Sequence, residues 1–185
     1  MATMYDDIGE VLLSEEQIAE IVKKMGKQIS KDYEGKNLFL VSVLKGSLPF
    51  MADLMREITI PCTIDFLAVS SYGKDTKTSG EVRVLKDLDA SLEGKDLLVV
   101  EDILDSGVTL SFLLKTLSAR NPASIRLCTF LDKPERRRVD IHADYVGACV
   151  PDKFIVGYGL DYSEKYRNVP YVGVLKPEVY LSKED

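Results

Sequence analysis

Apolar residues along this chain follow two spacings that alternate from one end to the other. The first is helical: Ser14-Glu15-Glu16-Gln17 reads as a capping box, and Ile18, Ile21, Val22, Met25 and Ile29 then recur on one face. The second is the short continuous apolar run expected of a strand buried on both faces. Leu38 to Leu44 reads as a strand; Leu48, Met51, Ala52, Leu54 and Met55 predict a packed helix after it, and Thr63 to Ser70 a second strand. Leu97 to Glu101 with a helix from about Val108 to Leu117 repeats the unit, and Ile125 to Leu131 adds another strand. Strand, helix, strand in this order implies right-handed parallel crossovers, hence an α/β fold with a central, mainly parallel sheet flanked by helices. Its 185 residues are enough for one domain with a real core, and no stretch reads as a linker, an internal repeat or a low-complexity tract.

Composition narrows the class. An apolar fraction of 45% and a charged fraction of 29% are those of a soluble globular protein, and no apolar run approaches the length of a membrane span. The acidic region from Met1 to Glu16 is unlike a signal peptide, so a cytoplasmic protein without membrane contact is expected. Cys62, Cys128 and Cys149 show no C-x-x-C spacing and lie in apolar surroundings, which predicts buried reduced thiols and neither disulfide nor zinc. A net charge of −6 argues against an extended nucleic-acid surface. Arg136-Arg137-Arg138 is the one basic run, and beside Pro134 it reads as a solvated turn. His142, the only histidine, stands outside every motif.

The densest chemistry lies in Leu97 to Leu110, LLVVEDILDSGVTL. If Leu97 to Val100 is a buried parallel strand, Glu101 and Asp102 emerge at its carboxyl end, where open α/β sheets bind ligands. Asp105, Ser106, Gly107, Val108 and Thr109 then make a small-residue turn whose N–H groups, two hydroxyls and following helix N-terminus suit one phosphate. Carboxylates beside an anion cradle repel a bare phosphate, but a magnesium ion or the hydroxyls of a sugar reconcile them. The bland alternative is an acidic strand end with a helix N-cap at Ser106. The segment lacks the first Gly and the Lys of a Walker A loop, and no G-x-G-x-x-G is present, so ATPase and dinucleotide readings fall.

The segment resembles the phosphoribosyl-diphosphate (PRPP) motif of type I phosphoribosyltransferases. Its form E-D-x-x-D-[ST]-G-x-T, with an acid at Asp105, is similar to the hypoxanthine-guanine branch of that family. Four further blocks match in order: Leu44-Lys45-Gly46; Ser71-Tyr72; Leu131-Asp132-Lys133-Pro134; and Pro151 to Tyr158 leading to Leu160-Asp161-Tyr162 and Arg167. The resemblance runs from about Ile8 to Leu175. Val108 departs from it, standing where some members carry Lys, so backbone amides must do more at the phosphate loop.

The resemblance implies the type I phosphoribosyltransferase fold, with a small hood built from the terminal segments of a single domain, 1–185. It implies a purine base displacing pyrophosphate from C1 of PRPP, with Mg²⁺ as cofactor and IMP or GMP as product. Glu101 and Asp102 would hold the ribose hydroxyls, and Asp105 to Thr109 the 5′-phosphate. Asp105 would be the general base at purine N7, against a bland role as helix cap. Lys45, Gly46 and Arg167 would bind pyrophosphate, with the Leu44-Lys45 backbone strained or cis as in relatives. Lys133, Phe154, Ile155 and Asp161 would surround the purine. Phe154 would stack on the ring, and the Lys133 ammonium, a donor only, would favour a 6-oxo over a 6-amino group. Glu101, Asp102 and Asp161 are the metal candidates. The polar loop opened by Ser71 and Tyr72 reads by composition as surface, whereas the resemblance implies a loop that closes over the site. Substrate, product and homo-oligomer (dimer or tetramer) contacts are the partners implied. The alternatives are a xanthine-preferring enzyme and a non-catalytic PRPP- or nucleotide-sensing regulator of the same fold.

Overall fold

Two layers of helix enclose a six-stranded sheet because each central strand is apolar on both faces. In the computed structural model, which describes residues 3–71 and 82–181, the strands are β1 (Ile8–Leu13), β2 (Leu38–Leu44), β3 (Thr63–Ser71), β4 (Val82–Lys86), β5 (Asp96–Leu104), β6 (Ser124–Asp132), β7 (Tyr145–Cys149), β8 (Ile155–Val156) and β9 (Val172–Leu175). The helices are α1 (Glu15–Asp32), α2 (Leu48–Glu57), α3 (Val108–Ser118) and α4 (Pro177–Leu181). The large sheet runs β4-β3-β2-β5-β6-β7 and is parallel except for β4, which pairs antiparallel with β3.

Alternation along the strands decides which helix covers which face. Leu38 and Leu40 of β2, Leu98 and Val100 of β5, and Cys128 and Phe130 of β6 pack against Ile18, Val22, Met25 and Ile29 of α1 and Phe50, Met51 and Leu54 of α2. Phe39, Val41, Val43, Leu97, Val99 and Leu127 point the other way, onto Leu110, Leu113 and Leu117 of α3. The expected capping box forms: the Gln17 backbone N–H donates to Ser14 Oγ at 3.3 Å, and the Ser14 N–H to Gln17 Oε1 at 2.8 Å. A second, three-stranded antiparallel sheet, β1-β9-β8, joins a strand near the start of the chain to two near its end and forms the small hood. Its apolar side is Ile8, Val156, Tyr166, Val169 and Leu175.

Several expectations need correction. β5 extends three residues past Glu101, because Ile103 and Leu104 continue to pair with Leu131 and Asp132 of β6; Glu101 and Asp102 therefore lie within the strand. Leu48 is exposed in the first turn of α2, where Phe50 takes the buried place. Of the three cysteines, all free, Cys128 is buried, Cys62 partly so, and Cys149 is exposed on the last residue of β7. Among the described residues no helix is long and apolar enough to cross a membrane.

Candidate active site

β2 and β5 are parallel neighbours, so their carboxyl ends deliver two loops side by side. From β2 comes Leu44-Lys45-Gly46-Ser47, with a cis peptide between Leu44 and Lys45. It is pinned from below: fully buried Ser47 donates to the Val43 carbonyl and shares a 2.6 Å hydrogen bond with Ser42 Oγ. Gly46 lies so close to Asp102 Oδ2 that a Cβ would overlap it. From β5 comes the turn 105–109. Gly107 is the N-cap of α3, in a left-handed conformation (φ 79°) open to glycine, and a Cβ there would strike Ile141. The N-cap residue is Gly107 in place of the expected Ser106 or Asp105; Ser106 Oγ takes only a long 3.5 Å hydrogen bond from the Val108 N–H, and Asp105 takes none from the helix. The first-turn N–H groups, which lack carbonyls one turn back, thus face a cavity of about 360 Å³ lined by Leu44, Gly46, Glu101, Asp102, Asp105, Ser106, Gly107 and Thr109. Val108, the first residue of α3, is exposed.

Charge in this cavity is held under tension. Burial pushes the Glu101 carboxyl well above its ordinary range, and neighbouring Asp102 adds to the shift. Asp102 is raised as well, chiefly by burial. Glu101 Oε2 is buried and accepts no hydrogen bond, while Asp102 Oδ1 takes the Ile103 N–H at 2.8 Å. Two adjacent desolvated carboxyls with an unused oxygen are a donor set suited to a hard divalent cation, which is commonly held by one or two carboxylates together with substrate oxygens. Among the described residues no group of three or more His, Cys, Asp or Glu side chains forms a complete protein-only metal cage. Asp161 is instead paired with Arg167 at 2.9 Å.

A second cavity, about 240 Å³, adjoins the first; Ile103 and Asp105 line both. Its other walls include Lys133, Arg136, Asp152, Phe154, Ile155, Leu160 and Asp161. Lys133 is only 5% exposed and gives its ammonium to the Lys153 carbonyl at 2.6 Å; burial lowers its pKa. Phe154 is 40% exposed, with Tyr180 of α4 stacked on it (4.9 Å between centroids, 20°) and Tyr162 edge-on at 5.5 Å. Ile155 is buried in β8, paired with Val174. Asp105 Oδ1 is buried and accepts no hydrogen bond, although Arg136 Nε lies 3.2 Å away at an angle that makes an ion pair only.

Of the pyrophosphate candidates, Gly46 lines the first cavity, and Lys45 and Arg167 meet at Glu164. Arg167 donates to the Gly159 carbonyl at 2.8 Å and pairs with Asp161 and Glu164, while its buried Nε has no acceptor. Lys45 Nζ is 2.6 Å from Glu164 Oε2, and these two cations hold the Glu164 carboxyl below the usual carboxylate range. Ser71 is the last residue of β3; Tyr72 lies outside the described residues.

Sequence reasoning missed Arg136, Arg137 and Glu164. The arginine run is not a solvated turn. Arg137 donates to the Leu104 carbonyl at 2.9 Å, to the Asp105 carbonyl and to the Asp132 carboxylate, and the Arg138 N–H reaches Ser106 O at 3.0 Å. This segment clamps the turn 105–109 from behind. A usable signal was its place immediately after β6, at the ligand-binding end of a parallel sheet. His142 is exposed beside Asp140, away from both cavities.

A parallel sheet with a turn suited to an anion, buried paired carboxyls and an adjoining cavity that carries Phe154 has the makings of a site for a phosphorylated ligand. Residues 10–163 match the model of the phosphoribosyl transferase domain, and the chain belongs to that family. Within it, the chain is 54% identical over 179 residues to the hypoxanthine-guanine phosphoribosyltransferase of Bacillus subtilis, covering 97% of this chain and 99% of that one. It superposes on the crystal structure of a hypoxanthine phosphoribosyltransferase from Staphylococcus aureus with a TM-score of 0.94, at 52% identity and 97% coverage of each chain. It is also 52% identical to the bifunctional protein TilS/HprT of Listeria monocytogenes over 178 residues, 96% of this chain but 28% of that longer protein's length.

Proposed function

We propose that the protein transfers the 5-phosphoribosyl group of PRPP to hypoxanthine or guanine, giving IMP or GMP and pyrophosphate, as an enzyme of purine salvage. The observation that carries this reading is Asp105, the carboxylate that borders both the phosphate-sized cavity and the aromatic one. A 5′-phosphate seated on the turn 105–109 and a purine against Phe154 would bring C1 and N9 together in front of it. The names of the relatives point the same way.

Each part of the reaction then has a residue. The transition state resembles a ribosyl oxocarbenium ion leaving pyrophosphate, so it needs positive charge at the leaving group and a proton acceptor on the purine. Lys45, Gly46 and Arg167 receive the pyrophosphate, with the unengaged Arg167 Nε as a ready donor. Glu101 and Asp102 accept from the ribose hydroxyls and would hold Mg²⁺, which when bound supplies counter-charge to the pyrophosphate oxygens. Asp105 Oδ1, buried without a hydrogen bond, accepts the N7 proton. Phe154, backed by Tyr180, stacks on the ring. Lys133 exchanges the Lys153 carbonyl for the purine 6-oxo group, which an amino group at that position could not replace.

Steady-state kinetics with PRPP, Mg²⁺ and each of hypoxanthine, guanine, xanthine and adenine test the assignment. Turnover is expected with the first two. Preference for xanthine would replace the assigned substrates, and PRPP binding with no turnover would make the chain a sensor. Lys133→Met should weaken 6-oxopurine binding and erode discrimination against adenine, because a buried donor is lost. An unchanged guanine-to-adenine ratio would remove Lys133 from the selectivity.

A further inference from the structure

Glu164 answers to two cations at once. Its Oε2 lies 2.6 Å from Lys45 Nζ and its Oε1 2.9 Å from Arg167 Nη2, so each carboxylate oxygen holds a different positive group. Lys45 and Glu164 are 119 residues apart in sequence and meet only through the fold. The backbone that delivers this carboxylate is unusual: Ser163 (φ 50°), Glu164 (φ 64°) and Tyr166 (φ 73°) are all left-handed without being glycine. Such conformations persist where their surroundings over-determine them, and they gather at ligand clamps. Here reciprocal Tyr162–Lys165 backbone bonds of 3.1 and 3.0 Å, and the Glu164 N–H given to Asp161 Oδ2 at 2.9 Å, hold the turn in place.

We propose that Glu164 is a built-in competitor for the pyrophosphate subsite: its carboxylate takes Lys45 and Arg167 in the empty site and is displaced when pyrophosphate, free or as part of PRPP, binds them. This rests on the assignment of Lys45 and Arg167 to pyrophosphate. The exchange is physically easy in both directions. The side chains of Glu164 and Lys45 are 63% and 68% exposed, so the released carboxylate turns into water rather than being left buried and unpaired. Pyrophosphate carries several charges against one, and therefore wins the cations when present. When it departs, the returning carboxylate satisfies them. Glu164 thereby lowers pyrophosphate affinity and speeds product release.

Glu164→Gln keeps the shape and removes the charge. Inorganic pyrophosphate titrated into the whole protein in Mg²⁺ buffer, by calorimetry and by product inhibition, should bind roughly three- to tenfold more tightly to the variant, the scale of two exposed ion pairs. The KM for PRPP should fall in the same direction, the KM for purine should stay put, and the gain should shrink at high salt. Pyrophosphate affinity that is unchanged or weaker in Glu164→Gln overturns the proposal, as does a purine KM that moves with it. Lys45→Met separates this from the underlying assignment. If that variant binds pyrophosphate as well as the parent, the subsite itself is misassigned; if it binds less well while Glu164→Gln gains nothing, only the competitor role is wrong.

Discussion

In the proposed reaction Asp105 concentrates the chemistry in one side chain. Because Gly107 rather than Asp105 begins α3, Asp105→Asn should fold with little loss of stability, which removes capping as an explanation for any defect. The amide keeps the shape but cannot accept the purine proton, so turnover should drop by roughly 10²–10⁴-fold with hypoxanthine and guanine while PRPP binding is nearly retained. The drop should be smaller for a base analogue whose N7 is already deprotonated at the working pH. Near-native turnover in the variant, measured beside its melting temperature, would remove the base from the mechanism. The phenyl ring of Phe154 has a different kind of dependence. Its position is set by Tyr180 and Tyr162, so a residue exposed enough to meet a ligand is still held in a fixed plane.

At the level of elements, the carboxyl end of β5 carries a stability cost that function explains. The Glu101 carboxyl has a raised pKa in the folded protein, so over the range above the ordinary carboxylate value the folded state holds a proton that the unfolded chain has released. Stability of the ligand-free protein therefore falls as pH rises through that range. Glu101→Gln, neutral at every pH, should flatten this slope and raise stability near neutrality by about 1–3 kcal/mol, read as a higher melting temperature, while turnover falls. A variant with the parent's pH slope would show that Glu101 is not the source. The clamp between the segment after β6 and the turn 105–109 makes the opposite prediction. Arg137→Met strips two carbonyls and the Asp132 carboxylate of their donor, at a cost of about 2 kcal/mol, and loosens the phosphate cradle. Its KM for PRPP should rise more than its KM for purine; equal rises in the two would reduce Arg137 to a general structural role.

For the molecule as a whole, the first cavity is walled by the carboxyl ends of the large sheet and the second also by Phe154 and Ile155 at the hood, so ligand binding and global stability are linked. PRPP with Mg²⁺ at about a hundred times its Kd should add about 2.7 kcal/mol, read as a rise in melting temperature. Chelation should abolish turnover with every purine together, and added Mg²⁺ should restore it. Full turnover in excess chelator would exclude the metal from the reaction.

Much of this was legible along the chain. The Leu38 to Leu44 run, apolar but for Ser42, and the wholly apolar Leu97 to Val100 run demand cover on both faces, and the capping box at Ser14 starts the helix that supplies part of it. These are local signals, fixed by spacing and by which groups must be desolvated, so the elements and their order followed from sequence. So did the turn 105–109, because its small residues and hydroxyls are contiguous. The length of β5 did not follow, since whether Glu101 and Asp102 belong to a strand depends on the pairing of Ile103 and Leu104 with β6. Nor did the roles of Arg137 and Glu164. Each looks like an ordinary surface charge until the fold sets it against Asp105 or Lys45, 32 and 119 residues away. A charged side chain takes its meaning from its nearest opposite charge, and only tertiary structure decides which that is.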